Sequence, residues 1–386
     1  MQYRSGAGEG ASEFEGRVKA VRAGPLGAVA NPYVVGKPLA ADSAMFFGRG
    51  AEVEYVERAL AGGEAGSVVV VVVGQRRTGK TSLLKRLEAK LCYRYRPVFV
   101  DVQGILVSET EAFFQELARL ALSGEGGACA LTDGEVAGGR RGADMVREAA
   151  ALSDRRLVLL LDEFDDLDAK VQSGRLSEEV FDQLRNLVQH SENVSLVLSG
   201  THRLEELAGD HWSFLLNLAV YRRVGCFERE EGEGVLRAPL ARLGIVCEDA
   251  AIGRAMRLTG GHPYFLQLVG YRLVEECVAS GEAAVRADTV ERAAHQVVEQ
   301  GDIHLRYLWE GAGEECRPLV MTLAETEEGL SERELEERLG WSRAGVREVL
   351  EKLLACELVV EGGSRWVLRT GLLSRWLQRA RPTSGR

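Results

Sequence analysis

Eight consecutive residues carry the strongest chemical signal in the chain: Gly74-Gln75-Arg76-Arg77-Thr78-Gly79-Lys80-Thr81. They match GxxxxGK[ST], a loop that turns backbone N–H groups inward around a phosphate. Gly74 and Gly79 let the loop fold tightly because neither carries a Cβ. Lys80 reaches the β- and γ-phosphates as a point charge, and the Thr81 hydroxyl is suited to ligate Mg²⁺. Ser82, in the same turn, joins Gln75, Arg76, Arg77 and Thr78 in the expected phosphate-binding set. Arg76 and Arg77 stand at variable loop positions and are expected to be exposed. A strand-to-helix turn without function would need none of this context. Here a β-branched run, Val68 to Val73, comes just before, and Leu83, Leu84, Leu87 and Leu91 follow at helical spacing. That helix adds its positive N-terminal end to the phosphate site.

A second apolar run, Leu157 to Leu161, ends in Asp162-Glu163. An acid at Asp162 can hold Mg²⁺ through water, and Glu163 can orient or deprotonate an attacking water. Asp165, Asp166 and Asp168 read as a solvated strand end. A third run, Val194 to Leu198, leads into Ser199-Gly200-Thr201-His202-Arg203. A polar group following a central strand meets bound ligand in open α/β sheets, so Thr201 or Arg203 can sense a γ-phosphate. The same residues also read as a capped loop before a helix near Leu204. His190, His202, His211, His295 and His304 read as surface or structural residues. No Cys/His cluster has metal-ligand spacing.

These residues need a scaffold, and the pattern supplies one. From Phe46 to about Cys226, strands (68–73, 98–102, 157–161, 194–198, 219–224) alternate with helical segments such as 109–122. That alternation predicts an α/β core: a parallel sheet with helices on both faces. Ser123 to Gly142 is Gly-rich and reads as a surface loop. Residues 229–313 give only helical signals, including Pro263 to Cys277, and predict an all-helical lid domain. From about Glu314 the order changes. Ser331-Glu332-Arg333-Glu334 is a capping box, Gly340 closes that helix, and Ser342 caps another. Gly362-Gly363 then joins two short strand-like runs. Helix, turn, helix and hairpin in that order predict a winged helix over 314–380. Residues 1–30 read as a flexible Gly-rich leader, 31–228 as the core, and 381–386 as a basic tail.

Composition limits the function classes. The 386 residues are 46% hydrophobic and 27% charged, enough for two or three domains and unlike a disordered chain. Seven scattered cysteines, an odd number, argue against a disulfide framework. The N-terminus carries no apolar stretch and the longest apolar run is Val68 to Val73, so a cytoplasmic protein with no membrane partner is expected. The net charge of −10 lacks a whole-chain footprint for nucleic acid.

The phosphate loop, the strand ending in Asp162-Glu163, the upstream Phe46-Phe47-Gly48-Arg49 and the downstream Gly260-Gly261-His262-Pro263 together resemble the STAND and archaeal-type ATPases. These are a branch of the AAA+ superfamily of P-loop NTPases, related to the origin-recognition ATPases. The resemblance spans about Asn31 to Leu377. It implies sheet order 5-1-4-3-2, a helical lid, a winged helix, ATP or ADP with Mg²⁺, and slow hydrolysis used as a conformational switch. It implies that Phe47, Gly48 and Arg49 help hold the base, with Gly50 replacing the family's first Glu and Glu52 keeping the second. It also implies that Pro263 lies near adenine and that Arg203 is the arginine after the fourth strand. Arg222 and Arg223 are alternatives as arginines acting in trans. An unidentified protein partner and a homo-oligomer formed on ATP binding are further implied. DNA remains an alternative partner through Arg343, Arg347, Lys352, Arg365 and Arg369, opposed by Glu332, Glu334, Glu336, Glu337, Glu348 and Glu351. A scaffold locked on ADP is a third reading.

Overall fold

The computed structural model describes residues 30–62, 66–123, 142–201, 219–300 and 302–380. The leader, the Gly-rich segment, His202, Arg203, His211 and the basic tail therefore lie outside the described residues.

The valine run forms β1 (Val69–Val73), all five residues buried. It is an inner strand, between β4 and β5, of a five-stranded parallel sheet with β2 (Arg96–Asp101), β3 (Leu157–Asp162), β4 (Val194–Gly200) and β5 (Ala219–Arg223), ordered β2-β3-β4-β1-β5. Read from the other edge this is the 5-1-4-3-2 order that the sequence resemblance implies. Side chains alternate between faces, as a pleated strand requires. Val70, Val72, Val158, Leu160 and Val197 pack on one face with α1 (Gly50–Gly62) and α2 (Lys80–Leu91). Val69, Val71, Val73, Leu159 and Leu198 pack on the other, with α3 (Thr110–Ser123), α4 (Gly142–Ala151), α5 (Asp166–Gln172) and α6 (Glu179–Gln189). Because the strands are parallel, the segments after β1, β3 and β4 emerge along one edge.

The chain then leaves the sheet through Val224–Phe227 into α7 (Arg229–Arg242), α8 (Asp249–Thr259), α9 (Pro263–Ser280), α10 (Ala287–Gln300) and α11 (Asp302–Gly311). This part is not wholly helical. Two-residue strands β6 (Val246–Cys247) and β7 (Ala284–Val285) pair in parallel. They are too short to leave a period in the sequence. Next come α12 (Arg317–Leu323), α13 (Glu332–Leu339), α14 (Arg343–Ala355), β8 (Val359–Gly362), β9 (Arg365–Leu368) and α15 (Gly371–Ala380). The Ser331 hydroxyl accepts the Glu334 N–H while the Glu334 carboxylate accepts the Ser331 N–H, completing the capping box. A bridge between Leu330 and Trp366 adds a rung to the β8–β9 hairpin.

One apolar cluster runs from Leu236 and Leu266 through Leu319 and Leu350 to Leu372, and takes in Tyr33 and Met45. The lid and the C-terminal elements thus share a core. Among the described residues no helix is long and apolar enough to cross a membrane.

Candidate functional site

The loop after β1 is fixed before any side chain acts. Gly74 donates its N–H to the Gly200 carbonyl on β4 at 3.3 Å. A Cβ on Gly74 would lie 2.1 Å from the Val224 carbonyl oxygen, so only glycine fits. The Thr78 hydroxyl donates to the Gln75 carbonyl at 2.9 Å. Arg77 and Gly79 are left-handed (φ 68° and 94°), which turns the chain into α2 with Gly79 as its cap. The first amides of α2 have no carbonyl one turn back within the helix and lie where an anion binds.

Lys80 is buried, and its ammonium donates to the Gly74 and Gln75 carbonyls, both at 2.9 Å. Burial pulls its pKa below the usual lysine range, opposed by Glu163, Asp165 and Asp162. Glu163 has φ 49° and shares one cavity of about 320 Å³ with Arg76, Arg77, Thr78, Gly79, Lys80, Thr81 and Ser82. Burial raises the Glu163 carboxyl pKa; Lys80 opposes this and Asp162 adds to it.

Asp162 is buried at the end of β3 and accepts a hydrogen bond from the Ser199 hydroxyl on β4. Gly74, Gln75 and Asp162 sit behind the cavity wall rather than in it. Asp165 differs from the expected solvated strand end. Its Oδ2 accepts the Thr201 hydroxyl at 2.7 Å, and its Oδ1 is buried without a protein partner. Asp166 likewise lies 3.4 Å from the buried Lys170 ammonium. Thr201 is thus turned toward Asp165 and not into the cavity.

The Phe47-Gly48-Arg49 segment divides its tasks. Phe47 and Arg49 line the cavity; Gly48 does not. Gly48 (φ 64°) lets the Glu231 carboxylate of α7 approach, since a Cβ there would lie 2.4 Å from its Oε1. Arg49 is 5% exposed, and one of its terminal nitrogens donates to the Thr78 and Gly225 carbonyls.

The lid supplies the opposite wall. Pro263, first residue of α9, and Tyr264 face the cavity with Val235 and Gln267. His262, just before them, is 4% exposed, and burial pushes its pKa down to about 3. Its Nδ1 has no hydrogen-bond partner. Arg76 and Arg77 are exposed, as expected, and their guanidiniums lie 5.6 Å from the Tyr307 and Tyr264 rings.

A segment with no motif of its own completes the site. Residues 31–39 form a strap from lid to phosphate loop. The Tyr33 hydroxyl donates to the Leu236 carbonyl at 3.0 Å, and the Val34 N–H to Gln267 Oε1 at 3.2 Å. Arg77 donates to the Gly36 carbonyl at 2.7 Å, and the Leu39 N–H to the Ser82 hydroxyl at 3.0 Å. Val34, Pro38 and Leu39 line the cavity. Ser82 therefore anchors the strap. The strap has no apolar period by which the sequence would reveal it.

On the sheet edge, Arg222 reaches Glu52 of its own chain at 3.3 Å and lies 5.6 Å from the Tyr55 ring. Among the described residues no group of three or more His, Cys, Asp or Glu is arranged to hold a metal ion unaided.

Residues 65–208 match the family model of an AAA domain. The Walker-type ATPase PABY2304 of Pyrococcus abyssi is similar in structure, with a TM-score of 0.61 at 15% identity over 89% of this chain and 98% of that one. The ORC2 protein of Aeropyrum pernix, in ADPNP–ADP complexes, is similar with a TM-score of 0.53, also at 15% identity, over 86% and 94% of the two chains. No curated protein sequence matches the chain. At this identity the likeness concerns fold: the core has the P-loop NTPase architecture of AAA+ proteins.

Proposed function

We propose that this chain is a magnesium-dependent ATPase that cycles slowly and acts as a nucleotide-dependent conformational switch. The observation that carries the reading is the single cavity joining the phosphate loop and Glu163 to Pro263 and Tyr264 of the lid. A triphosphate held by the amides of α2 and by Lys80 would touch both bodies. Lid closure would then depend on the γ-phosphate, and hydrolysis would release it.

Thr81 and, through water, Asp162 would hold Mg²⁺; their hard oxygen donors suit that ion, which would neutralise charge on the phosphates. The Ser199 bond fixes the Asp162 carboxylate for this task. Glu163 orients the attacking water and takes its proton, a role favoured by a pKa raised toward neutrality. Arg203 is proposed as the γ-phosphate sensor on the resemblance alone. The base would lie against Phe47 and Pro263 on the apolar side of the cavity. Slow turnover belongs to the same proposal: Arg222 would first have to leave Glu52, 3.3 Å away, to act in a neighbouring subunit.

The C-terminal elements are proposed as a winged helix that regulates the core and contacts a protein partner. This is favoured over duplex DNA because four of the five expected DNA-facing cations, all but Arg369, are already paired. Arg343 and Arg347 lie 3.5 and 3.0 Å from Glu332, Lys352 lies 3.1 Å from Glu348, and Arg365 lies 3.1 Å from Glu334. A phosphate backbone would have to displace those carboxylates. A cytoplasmic location and assembly on ATP binding belong to the same proposal.

The test is phosphate release with ATP and Mg²⁺ by the wild type, Lys80→Ala and Glu163→Gln, with copurified nucleotide identified. Turnover lost in both variants supports the reading. Tightly held ADP without turnover would replace it with a locked scaffold.

A further inference from the structure

Arg49 is a costly residue where it stands. Its backbone is left-handed (φ 60°) although it is not glycine, and its guanidinium is buried. Burial pulls its pKa below the usual arginine range. Its nearest carboxylate, Glu52, is 4.0 Å away. What holds the charge is backbone: the Thr78 carbonyl at 3.1 Å and the Gly225 carbonyl at 2.5 Å, both bonded to one nitrogen. The guanidinium also lies 4.4 Å from the Phe227 ring centroid, and the Arg49 N–H donates to Glu231 on the first lid helix at 2.9 Å.

The two carbonyls belong to different machines. Thr78 belongs to the phosphate loop, between the left-handed Arg77 and Gly79. Gly225 opens the short link from sheet to lid. Two residues on, the Phe227 N–H donates to the Gly261 carbonyl at 2.8 Å, and a Cβ on Gly261 would lie 2.4 Å from the Phe227 carbonyl. The Cys226 N–H between them is accepted by Glu357 of the C-terminal elements at 3.4 Å.

We infer that Arg49 is a positioning residue that transmits the state of the phosphate loop to the hinge at Gly225–Phe227, and not a reader of the nucleotide base. The inference rests on the proposed nucleotide site and names how that site is coupled to the lid. When the loop closes on a phosphate, the Thr78 carbonyl moves and Arg49 carries that movement to Gly225. The lid then responds to phosphate through protein as well as through the ligand.

The test is amide hydrogen exchange on the full chain with and without MgADP, in the wild type, Arg49→Met, Arg49→Lys and Phe227→Leu. Affinities for ATP and GTP are measured alongside. In the wild type, ADP slows exchange at residues 79–82 and also at Cys226 and Phe227. In Arg49→Met the first effect survives at saturating nucleotide and the second is lost. Arg49→Lys, which keeps a donor, restores part of it. ATP and GTP weaken together by about tenfold, with their ratio unchanged. Hinge protection that persists in Arg49→Met, or a changed ATP-to-GTP ratio, overturns the inference. Should both Arg49 variants fail to fold, a hinge that ignores ADP in the wild type, or undiminished hinge protection in Phe227→Leu, overturns it equally. Absence of any ADP effect at 79–82 in the wild type would instead remove the nucleotide site itself.

Discussion

Glu163 and Lys80 set each other's chemistry. The buried ammonium lowers the glutamate pKa while burial raises it, and burial wins. A raised carboxyl pKa means folding favours the protonated form. The stability this gives is present at low pH and is lost as pH rises from the ordinary glutamate value through the raised one. Glu163→Gln should therefore melt above the wild type by more at pH 8 than at pH 5, while its phosphate release falls by about 100-fold. Calorimetry at the two pH values and a phosphate assay check both halves. At this scale the sequence disclosed Lys80, Thr81, Asp162 and Glu163, because they are adjacent to the strand and loop that present them. It did not disclose Ser199 beside Asp162 or the Asp165–Thr201 pair. Those bonds join neighbouring strands or the segments just after them across more than thirty positions of chain, and nothing local encodes them.

The β-strands of the core were legible for a related reason. A strand buried on both faces has to be apolar nearly throughout, so β1, β3 and β4 read as almost unbroken runs, while β2 at the sheet edge is buried on alternate residues. The lid's short pair β6–β7 and the strap offer no such run. Glycines at element ends tell more once their surroundings are known. Gly260 caps α8 with φ 61°, and a Cβ there would lie 2.2 Å from the Arg369 carbonyl oxygen; Gly281 caps α9 with φ 72° and open space around it. Gly281→Ala should cost only the left-handed strain, about 1 kcal/mol. Gly260→Ala should cost roughly 2 kcal/mol or more, because the C-terminal backbone has to move as well. Urea denaturation of both variants tests the contrast.

For the whole molecule, the sequence suggested a boundary near residue 313 that the apolar packing does not mark. Helix signals change there, but burial does not. The common core is reinforced by charge: Arg254 of α8 meets Glu291 at 2.5 Å and Glu327 at 2.5 Å, and Arg375 of α15 meets the same Glu291 at 2.5 Å. Lid and C-terminal elements should accordingly unfold together. A chain ended at residue 313 should lose the lid's cooperative melting while the sheet domain still melts. Scanning calorimetry showing an intact lid transition in that fragment would refute this.

The strap also behaves as a leash. Its Val34 end is fastened to the lid through Gln267 and its Leu39 end to the phosphate loop through Ser82. Fully extended, the chain between those fastenings spans about 17 Å. While both hold, that length caps how far the two jaws can part. Nucleotide would then exchange through an aperture of fixed maximum width, and the fastening residues, not the hinge alone, would decide how large a molecule passes.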